Sequence, residues 1–363
     1  MAATGQKSKK NISGLLIANL GIEQVVANLL ELKLRRDAIT WHRFFGFLNL
    51  VLLVLLFLSG SVMAFYYSPI PGTAYDSVDF ALFNLPFGDI MKGIHHYSWN
   101  SLLVVMGLHL LRAFVVGAYK APRQLVWISG VILLVIVPMF IITGDLLPWD
   151  QKGYWSTRVR LSIIHSIPFI GDFAVRFLQG GPLTGIVALT RFYVLHTLFL
   201  PGLLVVLTGI HFHFIRYRGL SEPLFGEEKS VQRISFFPGL LNRGLIFFLI
   251  VTVVLGLISH YWTAPLGDPA DPTDSAYIPK PEWWVLFLNQ LVAIFKGPFS
   301  VIGTVVIPGG LFGIVAALPF LDRSAERDPA RRIIVMIIAA VIVFAITGLS
   351  LMGYIEHFVS TGK

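Results

Sequence analysis

The sequence predicts an all-α, polytopic transmembrane protein. Of its 363 residues 55% are hydrophobic and only 13% are charged, the mean hydropathy is +0.75, and seven stretches are long and apolar enough to cross a bilayer. An ordinary soluble domain carries about 25% charged residues, and a spanning helix needs roughly 20 mostly apolar ones. The stretches lie at about 44–67, 95–118, 125–147, 191–215, 243–262, 299–320 and 333–354. Cysteine is absent, which excludes disulfides, thiolate metal sites, iron–sulfur ligation and thioether attachment of a prosthetic group.

The flanking segments set the orientation. Residues 1–40 begin with the polar, basic MAATGQKSKK, which reads as no cleavable signal. Over 14–34 they place Leu16, Leu20, Ile22, Val26, Leu29 and Leu30 among polar residues, the pattern of a helix lying in the membrane interface. With the N-terminus in the cytoplasm, nineteen of the 28 Lys and Arg residues fall on inner segments and nine on outer ones, the bias expected of cytoplasmic loops. That bias accounts for the net charge of +8 without a nucleic-acid partner. The charged stretch 216–243 separates a four-helix half, 41–220, from a three-helix half, 221–363. Two outer connections are long enough to imply function. One, 148–190, contains IPFIGDFAVRFLQGG, which predicts a short surface helix ending at Gly180–Gly181; the other, 263–298, is rich in Pro and Asp.

Ionisable residues inside spans are costly and point to function. The second span carries His95, His96 and His109, and the fourth carries His196, His211 and His213. At about 100° and 1.5 Å per residue, His95 to His109 rotates by about −40° and rises about 21 Å, and His196 to His211 rotates by about +60° and rises about 22 Å. Each pair therefore shares one helix face, with one member near either membrane surface, while His96 and His213 face away. The two spans run in the same direction, so His95 and His196 share the outer depth and His109 and His211 the inner depth. Two helices offering paired imidazoles at matched depths can hold two stacked haems, each bis-His ligated and non-covalent. His42, His165, His260 and His357 read as interfacial or hydrogen-bonding residues.

A second signal comes from glycine. Gly46 and Gly60 on the first span, and Gly130 and Gly144 on the third, repeat the 14-residue step of His95 and His109. Glycine admits close approach to a helix backbone, as haems inside a four-helix bundle require. Lys92, Arg112 and Arg191 stand at depths suited to haem propionates; Arg112 equally suits an inner-surface anchor.

These residues resemble the cytochrome b family of respiratory bc complexes and photosynthetic cytochrome b–f complexes, over roughly 35–355 and in a fused seven-helix form lacking an eighth helix. GDLLPWDQKGYW (144–155) is similar to the family's PWGQ/PWDQ segment, LTRFYVLHTLFLP (189–201) to the start of its fourth helix, and PEWW (281–284) to its PEWY motif. The 15-residue histidine step is similar to the photosynthetic branch. The resemblance implies that His95 and His196 ligate an outer, low-potential b haem and His109 and His211 an inner, high-potential one. It implies a quinol site at Pro281, Glu282, Trp283 and Trp284, with Glu282 receiving a proton from quinol, as a carboxylate at the edge of such a site can. Trp149, Tyr154 and Trp155 either line that pocket or form an interfacial aromatic belt. Arg216 is the candidate for an inner quinone site, or else a positive-inside anchor.

The activity implied is that of a quinol–cytochrome c reductase type complex in a bacterial inner membrane. Quinol is oxidised outside, one electron passes to a Rieske iron–sulfur protein and a c-type cytochrome, the other crosses by the two haems to an inner quinone, and protons are translocated; a homodimer is expected. The sequence departs from the family at Trp284 for tyrosine, at Lys92 for the common arginine and at Asp145 after Gly144, and has no cysteine before Gly46 to attach a further haem. An alternative is a diheme anchor of a dehydrogenase or hydrogenase, which leaves PEWW and the last three spans unexplained. A transporter with histidine proton relays leaves the glycine period unexplained.

Overall fold

A computed structural model of the chain describes residues 33–35, 44–219, 221, 233–235 and 241–356. Twelve helices are defined among them: α1 (Phe44–Ala64), α2 (Pro71–Phe83), α3 (Gly88–Val115), α4 (Gln124–Asp145), α5 (Gln151–His165), α6 (Gly171–Gln179), α7 (Ile186–Val194), α8 (Leu200–Arg218), α9 (Leu241–Tyr261), α10 (Leu286–Ile294), α11 (Ile307–Leu321) and α12 (Ile333–Tyr354). Seven continuous segments have the length and composition to cross a membrane: α1, α3, α4, α7 with α8, α9, α11 with the turn before it, and α12. All seven expected spans are therefore helical. The second begins at Gly88 rather than 95, because its polar first turns continue the helix beyond the apolar run, with Asp89 favourably placed at the positive N-terminal end.

Two spans are interrupted by π turns, at Leu195–Phe199 and Ile302–Val306. Each runs into a proline within the first residues of the next helix, Pro201 and Pro308. Proline lacks the N–H and collides with the carbonyl four residues earlier, so the ladder widens by one residue there.

The halves are interleaved. α1 lies on α3 and α4 on α8, forming the four-helix bundle; α9 packs on α3, α11 on α4, and α10 on α12. The core between α1, α3, α4 and α9 is built from Val51, Leu52, Leu55, Leu102, Val105, Val137, Ile141 and Leu255. Gly93 of α3 faces Ser259 of α9 so closely that no side chain fits at position 93.

The expected surface helix of the first long connection is α6, closed by Gly180 at φ 71°, the left-handed conformation glycine adopts without penalty. The second structure in that connection, α5, has no apolar face strong enough to stand out in the sequence. Asp150 caps its N-terminus, accepting from the Gly153 N–H at 2.7 Å. The interfacial helix expected over 14–34 lies outside the described residues except at its end. There it is corrected: Lys33–Arg35 form a strand, β1, pairing antiparallel with β2, Arg233–Ser235, so extended pairing with a distant segment replaces helix at that end.

At the C-terminal end of α3 the two halves are locked by charge. Lys120 is buried and donates to Asp322 at 2.6 Å, and Tyr119 donates to the same carboxylate at 2.5 Å. Arg332, also buried, donates to the Tyr119 hydroxyl at 2.8 Å and to the Val115 carbonyl at 2.6 Å, meeting the negative end of α3. Burial opposes the Asp322 charge, but the hydrogen bonds from Lys120, Tyr119 and Ser324 outweigh it and lower the carboxyl from 3.8 to about 2. A carboxyl depressed in the folded state stabilises fully above its unfolded pKa and loses that contribution as pH falls through the folded value. Thermal unfolding of the detergent-purified protein is therefore expected to show a stability increment that disappears between pH 3.8 and about 2. Asp322→Asn should lower the neutral-pH melting temperature by several degrees and lack that increment.

Candidate functional site

The four helices of the bundle bring the predicted histidines and glycines together one to one. A Cβ built on Gly60 would meet His95 Cε1 at 3.0 Å, on Gly144 would meet His196 Cε1 at 2.6 Å, on Gly46 would meet His109 Cε1 at 3.2 Å, and on Gly130 would meet His211 Cε1 at 3.3 Å. The glycines thus make room for the imidazole rings, a more specific duty than admitting a flat cofactor. At the outer level the His95 and His196 rings face each other with centroids 6.3 Å apart. That separation would let one metal ion sit between the two rings, which would hold it through their nitrogens at about 2 Å each. At the inner level His109 and His211 lie close enough to interact electrostatically.

The π turn explains how a 15-residue step on one helix matches a 14-residue step on another. His196 sits within Leu195–Phe199, where the turn takes in one extra residue. The remaining rotation to His211 is then that of about 14 α-helical residues, about −40°, equal to the rotation from His95 to His109.

Hydroxyl groups hold three of the rings. Ser59 Oγ lies 3.0 Å from His95 Nδ1, Thr143 Oγ1 3.2 Å from His196 Nδ1, and Ser129 Oγ 2.8 Å from His211 Nδ1. The single proton of each hydroxyl is already donated to its own helix: Ser59 to the Leu55 carbonyl at 2.7 Å, Thr143 to that of Met139 at 2.8 Å, and Ser129 to that of Val126 at 3.0 Å. The hydroxyl oxygen therefore accepts, Nδ1 carries the hydrogen, and Nε2 keeps its lone pair for a metal. The Phe140 carbonyl also accepts from His196 Nδ1 at 3.0 Å. Each of these hydroxyls immediately precedes its glycine in the sequence, whereas Phe45 precedes Gly46. Haem iron fits this donor set: His95, His196 and His211 each keep the Nε2 lone pair available, and His109 lies near His211 at the second level.

The two long connections meet at the end of the bundle that carries His95 and His196. The PWDQ segment and the second long connection pair along their backbones: Ala270 N–H donates to the Trp149 carbonyl at 3.0 Å and Gln151 N–H to that of Asp268 at 2.8 Å. Asp150 also accepts from the Gly267 N–H at 3.1 Å, and burial raises its carboxyl above the ordinary range. Glu282 forms an ion pair with Lys152 of α5. Burial opposes the Lys152 charge, but the hydrogen bond and attraction of Glu282 prevail and hold the ammonium above its ordinary value. Trp283 donates its indole N–H to Asn100 of α3 at 2.8 Å, while the buried Trp284 Nε1 has no partner among the described residues. Pro281 leads this turn. Trp149 and Tyr154 are buried with Leu146, Leu189 and Phe192, so they form core rather than a lipid-facing belt; the Trp155 indole donates to Gln151 at 3.0 Å. Asp145 pairs with Arg160 at 2.7 Å.

The cations divide. Arg112 stays on α3 one turn beyond His109, and Arg216 is exposed near the end of α8. Lys92 donates to the carbonyls of Ala264 and Pro265 at 3.2 and 2.7 Å, and Arg191 to those of Arg176, at 3.2 Å, and Phe177. These two commit donors to loop and helix-end carbonyls. Sequence reasoning missed Ser59, Thr143, Ser129 and Lys152; the Ser-Gly or Thr-Gly step was the available signal for the first three. Away from the bundle His165 pairs with Asp172 at 2.8 Å on the surface, and His42 and His357 lie outside the described residues.

Residues 100–269 match the family described as cytochrome b(N-terminal)/b6/petB, and residues 269–359 match cytochrome b(C-terminal)/b6/petD. The chain is 41% identical over 179 residues to cytochrome b6 of Prochlorococcus marinus (strain NATL1A), and 40% identical over 179 residues to that of Synechococcus sp. (strain CC9605); both alignments cover 49% of this chain and 82% of the relative. A solved structure described as a hyperthermophilic respiratory Complex III superposes with a TM-score of 0.77 at 25% identity, over 94% of this chain and 90% of that one.

Position 144 offers a direct check. Gly144→Leu should displace the His196 ring and lower the b-type absorbance in a reduced-minus-oxidised spectrum. Gly313→Ala, where nothing lies within 4 Å, should retain all of it.

Proposed function

Because the chain belongs to the cytochrome b family, we propose that it is the subunit of a bc-type complex that oxidises quinol at the outer side and returns electrons to a quinone at the inner side, coupled to proton translocation. His95 with His196, and His109 with His211, would hold the outer and inner b haems, and Arg112 would meet a propionate. When bound, the haems supply two one-electron carriers spaced across the membrane. The observation that carries this reading is the outer imidazole pair at 6.3 Å, in a bundle capped by the joined PWDQ and PEWW segments.

Quinol would bind where these segments meet. Glu282 is 15% exposed and Lys152 39%, so the carboxylate faces inward and its partner leads toward water. A carboxylate so placed can accept a proton from a quinol hydroxyl, and rotation away from Lys152 would carry that proton outward. The Trp284 indole N–H, which lacks a partner among the described residues, can donate to a quinone oxygen, although unlike tyrosine it cannot accept. Pro281 stiffens the approach to the turn, and Trp283 ties it to α3. Arg216 would attract the anionic forms of a quinone at the inner surface.

A Rieske iron–sulfur protein and a c-type cytochrome would receive the other electron, since this chain has no cysteine to bind a cluster of its own. The reading places the complex, as a homodimer, in a bacterial inner membrane with the N-terminus cytoplasmic. Purification in mild detergent should yield b-type absorbance reducible by quinol together with both partners; absorbance without quinol-dependent reduction would instead favour a dehydrogenase or hydrogenase anchor. Glu282→Gln should slow quinol-driven cytochrome reduction by about 100-fold, within the range for loss of a general base, and leave the haem spectrum unchanged.

A further inference from the structure

Resting on the reading above, we infer that Lys152 is a positioning residue for quinol oxidation, which holds Glu282 inward as a charged base and lets it go once it has taken a proton. The two side chains form an ion pair across 130 residues of chain. Both stand on anchored backbone. Lys152 is the second residue of α5, whose start is fixed by the Gln151 N–H donating to the Asp268 carbonyl at 2.8 Å. Glu282 opens the turn that Trp283 ties to Asn100 of α3 at 2.8 Å. A cation in the first turn of a helix is opposed by the positive end of its dipole, and α5 has no acidic residue in that turn to offset it. The charge is met from elsewhere, by Glu282 in contact and by Asp145 and Asp150 nearby. Together these carboxylates keep Lys152 charged despite its burial.

The pairing distinguishes the two forms of Glu282. Ionised, the carboxylate is drawn to the ammonium and held where it is 15% exposed. When the O–H bond of quinol breaks and one forms on Glu282, no electron moves and the carboxyl becomes neutral. The ionic attraction is then lost, and the neutral hydrogen bond that replaces it is about half as strong, so the side chain is free to turn toward water. Loss of the proton there restores the charge and the pair. Lys152 is not left uncompensated in the interval, because Asp145 and Asp150 remain beside it. Those two carboxylates are committed elsewhere: Asp145 to Arg160 at 2.7 Å, and Asp150 to the N–H groups of Gly153 and Gly267 at 2.7 and 3.1 Å. His96 and Tyr277 also feel the Lys152 charge, but neither is in contact with Glu282 in the way Lys152 is. Lys152 therefore acts through Glu282 and not on the substrate.

The test is a double-mutant cycle on the purified complex, read by steady-state quinol-driven cytochrome reduction and by the reduced-minus-oxidised haem spectrum. Lys152→Met should lower kcat about tenfold, part of the about 100-fold expected for losing the base itself, and leave KM and the haem spectrum unchanged. Lys152→Arg, which keeps the charge, should retain most of the rate. In the Glu282→Gln background, where no carboxylate remains to be held, Lys152→Met should cause no further loss. Lys152→Gln serves the same comparison if Lys152→Met does not assemble. A wild-type kcat in Lys152→Met, equal losses in Lys152→Met and Lys152→Arg, or losses that multiply in the double variant would each overturn the inference and leave the proposed function standing. Glu282→Gln as fast as the wild type would instead overturn the role given to Glu282, and the inference with it.

Discussion

An imidazole inside a membrane-spanning bundle must find an acceptor for its ring N–H within the protein, because hydrocarbon provides none. Much of the bundle follows from that requirement. If Nδ1 carries the hydrogen, Nε2 is left basic and directed away from the helix that supports the ring. Ser59, Thr143 and Ser129 provide the acceptors, and the glycine after each provides the space. A Ser-Gly or Thr-Gly step thus does two things at once. Its hydroxyl bends back to the helix carbonyl three or four residues earlier and presents a lone pair, while the missing side chain next to it lets the ring edge approach the backbone. The glycine gives the ring room to enter at all four positions, and the hydroxyl adds a fixed orientation at three of them.

The pairing of the histidines was legible in the sequence because they are periodic and because ionisable residues are rare in spans. His95, His109, His196 and His211 satisfy both conditions, and the glycines share their period. The hydroxyls escaped notice because Ser and Thr are ordinary inside membrane helices, where they return a hydrogen bond to their own backbone; only position relative to glycine marks these three. The α5 helix escaped because its buried side, Gly153, Tyr154, Ser156, Thr157 and Leu161, is mostly small or polar, so no apolar stripe identified it. Lys152 escaped because its meaning depends on Glu282, 130 residues away. The depth of Lys92 and Arg191 was legible, but their partners were not, since both reach loop or helix-end carbonyls that no periodic pattern places.

The two ends of the molecule are tied in different ways. At the C-terminal end of α3 a compact cluster of Lys120, Asp322, Tyr119 and Arg332 joins the loop after α3 to the loop before α12, and Arg332 reaches the last carbonyls of α3. That contact fixes the depth of the helix carrying His95 and His109. At the end that carries His95 and His196 the ties are backbone pairs between extended loops, Trp149 with Ala270 and Gln151 with Asp268, reinforced by the buried Asp150. A buried ion cluster resists opening because separating its members leaves uncompensated charge.

The π turn shows why residue spacing is a weaker invariant than rotation. Counting alone leaves His196 and His211 about 100° out of step with His95 and His109, since one helix uses 15 residues where the other uses 14. Pro201 removes a ladder hydrogen bond just after His196, and the resulting turn of Leu195–Phe199 absorbs one residue. The inserted residue and the proline therefore compensate each other. Shortening this helix by one residue while keeping Pro201 would leave the π turn with nothing to absorb and rotate His196 off the His95 axis; shortening it and replacing Pro201 with alanine together would restore the facing pair. The facing of the ring pairs is what the fold preserves, and the number of residues between the histidines is free to vary wherever the backbone can take up the difference.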